Sequence, residues 1–395
     1  MPGAARHVCC DSAKLVSTML ATAPLIVFAD DWGRHPSSAQ HLVRQLLGDS
    51  AISWVNTIGT RAPKLTVSVL RRGIGKLLQW GAPHSSAAAS GPAPQIHAPI
   101  MYPGFRTGWQ RALNAHLLGR FLDKRFPNLG DTVIVSTIPI VADLPERLVA
   151  LRWIYYCVDD FSKWPGLDSE ALLAMEQKFV RRADRIIVAG ENLAAAMRSL
   201  GRESHLISHG IDLEHWRRER QPAALLNKFE RPIALFWGLI DRRLDLAALR
   251  RLDQSMTAGT IVLVGPAQDP DPALARLARI RLTGPSSYEN LPSLAAQADA
   301  LIMPYADLAV TRAMQPLKLK EYLATGRPVV STRLPALSGW EDCLDIADDP
   351  GQFAAAVLRV CGGPLPPDQS AARERLQHET WKIKARQFEN IVFGV

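Results

Sequence analysis

Short runs of Val, Ile and Leu alternate with helix-like stretches along this chain, and that alternation constrains its fold more than any other feature. In the first half "PLIVFAD" (24–30), "AISWVN" (51–56), "TVIVST" (132–137), "WIYYCV" (153–158) and "RIIVAG" (185–190) read as strands. Helical stretches lie between them at 38–47, about 106–126, 169–183 and 191–200. From residue 231 the scheme repeats, with strands "PIALFWG" (232–238), "TIVLVG" (260–265), "ALIMP" (300–304) and "PVVST" (328–332). Its helices are expected at 244–252, 271–279, 291–298, 316–325 and 350–361. Near-continuous β-branched content suits strands covered on both faces, so each half predicts a doubly wound parallel sheet wrapped by helices. At 395 residues the chain exceeds what one core supports, which also favours two domains.

The expected organisation is a poorly ordered leader at 1–23, a first domain at 24–208, a polar linker at 209–230, a second domain at 231–372 and a charged helix at 373–395. "APHSSAAASGPAP" (82–94) reads as a loop, and no short-period repeat appears. The five cysteines, Cys9 and Cys10 included, follow no ligand spacing and fit reduced thiols in a cytosol. "KLVSTMLATA" (14–23) has some marks of a signal peptide, but Ser17, Thr18, Thr22 and the preceding Asp11 argue against one. No run of about eighteen apolar residues predicts a membrane span.

The net charge of +8 is concentrated in residues 51–130, where ten Lys and Arg face Asp123 alone. Interleaved with Leu, Val and Trp, as in "LTVSVLRRGIGKLLQW" (65–80), these charges suit an anionic membrane face or simply a solvated basic surface. Nucleic acid is not expected, since no recognition-helix, zinc-finger or RNP-type signature accompanies them.

Doubly wound folds bind ligands beyond the carboxyl ends of their strands, which directs attention to the residues after each apolar run. "ADDWGRHPSSAQHL" (29–42) ends a strand on Asp30 and Asp31, followed by Trp32, a turn at Gly33, and Ser37 and Ser38 at a helix start that offers backbone amides to an anion. "YYCVDDFSKW" (155–164) repeats the pattern with Asp159, Asp160 and Trp164. Such aspartates can bind a polyhydroxy ligand or act as a general base, and the flat indoles suit sugars or ordinary packing. Metal is not expected, because no third ligand group has suitable spacing. His209, in "SHGIDLEHW" (208–216), stands at the exit of the first domain.

In the second half "FWGLIDRRLD" (236–245) runs through Gly238 to Arg242 and Arg243. Glycine permits close backbone approach and a guanidinium can grip a diphosphate. "MQPLKLKEYLATGRPVVST" (314–332) places Lys318, Lys320 and Glu321 in an otherwise apolar helix. A helix start reinforced by Lys318 favours phosphate, and Glu321 one turn further can accept two ribose hydroxyls.

These stretches, with "YENLPSLAAQADALIMPY" (288–305), resemble the C-terminal half of the GT-B glycosyltransferases of the large family 4 group. The "DDWGRHPSSAQHL", "WVN" (54–56) and "YYCVDDFSKWPGL" stretches are similar to the N-terminal half of a bacterial, polysaccharide-biosynthesis subset. The resemblance implies the GT-B architecture: two Rossmann-like domains facing a central cleft and a C-terminal helix crossing back to the first. It implies a nucleotide-sugar donor, UDP- or GDP-linked, held mainly by the second domain, and a glycan or lipid-linked acceptor at the first. By motif, Glu321 matches the ribose-binding glutamate, Leu317 and Lys318 the positions beside the diphosphate, and Tyr288 the loop near the nucleobase. Arg243 is the candidate for the basic residue after the strand-end Gly238. Asp30, Asp31, Asp159 and Asp160 are the catalytic candidates, with Trp32, Ser37, Ser38, Trp164 and His209 at the acceptor or hinge.

One position departs from the family: where a second glutamate usually meets the donor sugar, this chain has Ala313, followed by Met314 and Pro316. Thr311, Arg312 or Gln315 then become the substitutes. The expected activity is transfer of a sugar to a hydroxyl, with retention of configuration as the family norm, no cofactor, and a cytoplasmic or peripheral membrane location. A sugar-nucleotide epimerase and a non-catalytic nucleotide-sugar scaffold are the alternatives.

Overall fold

The computed structural model describes residues 23–33, 37–48, 51–58, 93–164, 167–218 and 224–394. The chain divides into two compact units, Met1–His209 with Trp381–Val395, and Gly210–Thr380. The leader, the 82–92 part of the loop and the basic residues Arg61, Lys64, Arg71, Arg72 and Lys76 lie outside the described residues.

The first unit is built on a parallel seven-stranded sheet of order β3-β2-β1-β4-β5-β6-β7. Its strands are β1 (Leu25–Ala29), β2 (Ile52–Asn56), β3 (Gln95–His97), β4 (Val133–Ser136), β5 (Arg152–Cys157), β6 (Arg185–Val188) and β7 (His205–Leu206). Helices α1 (Ser38–Leu46), α2 (Gly108–Arg125), α3 (Ser169–Arg182) and α4 (Glu191–Ser199) cover it. β1 is buried along its whole length, as its unbroken apolar run requires. β3 and β7 escape a reading by hydrophobic runs because they are two- or three-residue edge strands with exposed side chains.

The second unit contains α5 (Leu213–Arg217), β8 (Ile233–Trp237), α6 (Leu246–Ser255), β9 (Thr260–Val264), β10 (Ile280–Leu282), α7 (Leu291–Gln297), β11 (Ala300–Met303), α8 (Ala309–Ala313), α9 (Lys318–Ala324), β12 (Val329–Thr332), β13 (Asp345–Ala347), α10 (Pro350–Val360) and α11 (Pro367–Ala372). Its sheet is parallel, of order β10-β9-β8-β11-β12-β13. Numbered from β8 that order is 3-2-1-4-5-6, the Rossmann order, whose ligand crevice opens where β8 and β11 diverge.

The segment 209–230, expected as a polar hinge or linker, places Ile211, Trp216 and Leu226 in the core of the second unit. Two expectations are corrected. The helix expected at 271–279 is only a 3-10 turn, Pro272–Arg276. Asp253 accepts the Arg279 backbone N–H, and the Arg279 guanidinium reaches the Thr257 and Gly259 carbonyls, drawing the chain into β10 instead. The helix expected at 373–395 breaks at Thr380, which is extended. Before the break, the buried Arg373 guanidinium donates to the carbonyls of Cys343, Leu323 and Arg327 and holds a 3-10 segment to the second unit.

After the break comes α12 (Trp381–Phe393), which belongs to the first unit. Trp381 stacks on His41 of α1 with centroids 4.6 Å apart, and Phe388 packs on Tyr156 at 5.6 Å. Arg152 and Arg185 donate to the carbonyls of Ile391, Val392 and Gly394, satisfying the open end of the helix.

Candidate functional site

At the carboxyl end of β8 the backbone turns at Gly238 with φ of +144°, a region that disfavours other residues. A side chain there would collide with the Lys318 ammonium. Gly265 ends β9 in the same way at φ +150°, and a Cβ on it would collide with the Gly238 carbonyl oxygen. The pair of glycines thus lets two strand ends and one lysine share a space that any side chain would fill.

Lys318 opens α9 and reaches across the sheet end. Its ammonium donates to the Tyr305 hydroxyl at 2.6 Å and lies 4.4 Å from the centre of the Phe236 ring. One turn on, Glu321 accepts from the Trp237 indole N–H at 3.3 Å. Burial pushes its carboxyl up to about 7, while the Trp237 hydrogen bond and the Lys318 charge pull the other way. Tyr322 accepts the Trp237 backbone N–H at 2.9 Å, fixing the last residue of β8 against α9. Because α9 has only seven residues, the electrostatics here rest on these side chains more than on a helix dipole.

Aromatic rings continue the site. Trp216 stacks on Trp237 at 5.4 Å and 12°. His215 lies flat on Tyr288 at 4.2 Å and 7°, and its Nε2 is 3.2 Å from the Tyr288 carbonyl. Desolvation first and the Glu321 charge second raise the Tyr288 hydroxyl well above the usual tyrosine range. Gly238, Lys318, Glu321 and Tyr288 are therefore gathered on one side of the second unit.

Arg243, the candidate for the diphosphate, is engaged by Asp241. Its Nε lies 3.0 Å from both carboxylate oxygens of Asp241, and both side chains are largely buried. The guanidinium edge proposed for a diphosphate is thereby occupied within its own loop. Leu317 and Gln315 sit half-buried just before α9, whereas Ala313 and Met314 are buried. Of the substitutes for the absent glutamate, Thr311 is fully buried with its hydroxyl on the Ala306 carbonyl, and Arg312 pairs with Asp307. A cavity of about 510 Å³ opens beside these residues, lined by Tyr305, Asp307, Arg312, Arg333 and Asp348 among others.

In the first unit Asp30 is exposed and Asp31 partly so at the end of β1, and the Asp30 carbonyl accepts from the Trp54 indole. Trp32 is 7% exposed and packs edge-on against Trp54 at 4.8 Å, so it offers no open face for a sugar. Ser37 caps α1 through the Gln40 N–H, and Ser38 shares a 2.6 Å hydrogen bond with His209 Nδ1. Beyond β5, Asp159 accepts the Asp160 N–H, while Asp160 is held by the Ser162 hydroxyl and by Lys163 at 2.9 Å. Trp164 is half-buried at the close of that turn. Among the described residues no three His, Cys, Asp or Glu side chains converge as metal ligands.

Residues 236–362, which carry Gly238, Tyr288, Lys318 and Glu321, match the family model described as glycosyl transferases group 1. These residues of the second unit are thus similar to the group 1 glycosyl transferases. A Bacillus subtilis (strain 168) protein named as a teichuronic acid biosynthesis glycosyltransferase, TuaH, is 30% identical over 207 residues, covering 49% of this chain and 52% of that one. The chain thus aligns with about half the length of that relative. In fold it is similar to sucrose-phosphate synthase from Thermosynechococcus elongatus, with a TM-score of 0.69 at 16% identity over 93% of this chain and 97% of that one. It is likewise similar to α,α-trehalose 6-phosphate synthase from Burkholderia multivorans, with a TM-score of 0.62 at 13% identity over 94% and 98%. These likenesses show the GT-B type of fold.

Four residues of this candidate site are not singled out by the sequence: His215, Trp216, Trp237 and Tyr305. Trp237 stood in plain view beside Gly238, but an aromatic residue ending a strand is indistinguishable from core until its partners are known. His215 and Trp216 were hidden in a segment whose polar composition reads as a linker.

Proposed function

We propose that this protein is a glycosyltransferase that moves a sugar from a nucleotide-sugar donor, UDP- or GDP-linked, to a hydroxyl acceptor. The observation that carries the reading is the joint placement of Lys318 against Gly238 and of Glu321 against Trp237, one helical turn apart. A diphosphate suits the ammonium and the side-chain-free backbone at Gly238, a ribose suits the recessed carboxylate, and a base suits the Tyr288 and His215 stack. Lys318 then stabilises the departing diphosphate as the glycosyl bond breaks.

The acceptor is assigned to the first unit. Asp30, Asp31, Asp159 and Asp160 are the candidates to orient or deprotonate its hydroxyl. A glycan or lipid-linked acceptor in polysaccharide synthesis, and retention of configuration, complete the reading. The match to a teichuronic acid glycosyltransferase supports the first of these.

The decisive experiment is a thermal-shift screen against UDP, GDP and their sugars, followed by transfer assays with product analysis at the anomeric centre. One nucleotide sugar should raise Tm, because a ligand that binds only the folded state stabilises it by mass action. The Glu321→Ala variant should lose that shift. A screen in which no nucleotide raises Tm overturns the reading, and turnover of the donor without acceptor would mark an epimerase.

We further propose peripheral attachment to an anionic membrane, on its cytoplasmic face. Exposed Trp109 and Ile100 lie beside or on α2, which carries exposed Arg120, Lys124 and Arg125. Among the described residues no helix is long and apolar enough to cross a membrane. Sedimentation with anionic vesicles should exceed that with neutral ones and weaken with salt; equal binding to both would refute the attachment.

A further inference from the structure

Lys320 sits between the two site residues of α9 yet points elsewhere. Its side chain is 7% exposed, its ammonium pairs with the Glu379 carboxylate, and it lies 5.7 Å from the centre of the Trp340 ring. The backbone of Glu379 is itself committed: its carbonyl accepts the Ile211 N–H at 2.9 Å, and Thr380 bridges Ile211 in parallel register. Two residues after Ile211, α5 begins, capped by Asp212 through the His215 N–H. α5 delivers His215 to Tyr288 and Trp216 to Trp237.

We propose that the Lys320–Glu379 ion pair is a brace that sets the spacing between the two walls of the nucleotide site, α9 and α5. Lys320 is a positioning residue in this scheme. It acts through Glu379 and Ile211 on the aromatic wall, while its neighbours Lys318 and Glu321 form the polar wall. The inference rests on the nucleotide-binding reading above, but it makes a structural claim that can be read without any nucleotide. An apolar residue on α9 would fill the same interior space; a buried cation there needs a specific anionic partner, and the partner chosen is the residue that anchors α5.

The test uses the full chain. Lys320→Met with Glu379→Gln removes the pair without leaving a buried unpaired charge, and Lys320→Arg keeps the pair. In the double variant, amide hydrogen exchange at 213–217 should quicken at least tenfold while the strands β8 and β11 keep their protection. For whichever nucleoside diphosphate binds the wild type, the double variant should bind at least tenfold more weakly. KM for the donor should rise with kcat changed less than threefold, and Lys320→Arg should stay within threefold of wild type throughout. Unchanged exchange in α5 overturns the brace, even if the double variant melts lower. If wild type binds no nucleotide, the functional reading falls while the exchange result still decides the brace.

Discussion

Glu321 takes its properties from its surroundings: burial disfavours its charge, and its folded-state value of about 7 exceeds the ordinary 4.5. The unfolded chain therefore ionises first as pH rises. The stability associated with the neutral carboxyl is fully present below about 4.5 and is lost as pH climbs through 7, a difference on the order of 3 kcal/mol. Tm of the ligand-free protein should fall across that window, and Glu321→Gln should flatten the fall, both measurable by calorimetry from pH 5 to 8. Nucleotide affinity should run the opposite way, because ribose hydroxyls are better accepted by the ionised form. It should rise through pH 7 in wild type and lose about ten- to a hundredfold, with its pH dependence, in Glu321→Gln. Gly238→Ala is expected to weaken donor binding at least tenfold in titration calorimetry, since the φ of +144° disfavours a Cβ and the added Cβ displaces the Lys318 ammonium. Residue identity alone singled out Gly238, Lys318 and Glu321 as candidates, because their chemistry is unusual for a strand end and an apolar helix. The pairing of Arg243 was not legible, because its carboxylate partner, Asp241, is only two positions away and reads as part of the same polar turn.

At the level of elements, the strands were legible wherever burial on both faces forced continuous apolar runs, as in β1 and β8. The short α5 was not, because five residues with one buried side chain carry no periodic signal. Its weight in the structure is nonetheless large. Replacing Trp216 by Ala removes the plate stacked on Trp237 and should cost about 3–5 kcal/mol in chemical denaturation of the second unit. His215→Ala removes the ring stacked on Tyr288 and set edge-on to Trp216; it should cost less stability than Trp216→Ala while weakening nucleotide binding several-fold, as titration calorimetry can read. Aromatic partners separated by tens of residues, such as His215 and Tyr288, lie beyond what local spacing reveals.

For the molecule as a whole, the first unit is assembled from two separated stretches, and the last of them, α12, covers Tyr156 and His41. A chain ending at residue 380 should show a first unit that melts earlier or fails to fold, with the second unit's transition little altered; two-transition calorimetry would resolve them. The second unit, by contrast, begins and ends at neighbouring points, since Ile211 pairs with Glu379 and Thr380. In topological terms it is a guest spliced into a host. On the ribosome the guest has its whole sequence by Thr380, while the host, though begun first, waits for residues 381–393. Synthesis order and completion order are thereby reversed: the domain expected to hold the donor can be finished before the one expected to take the acceptor.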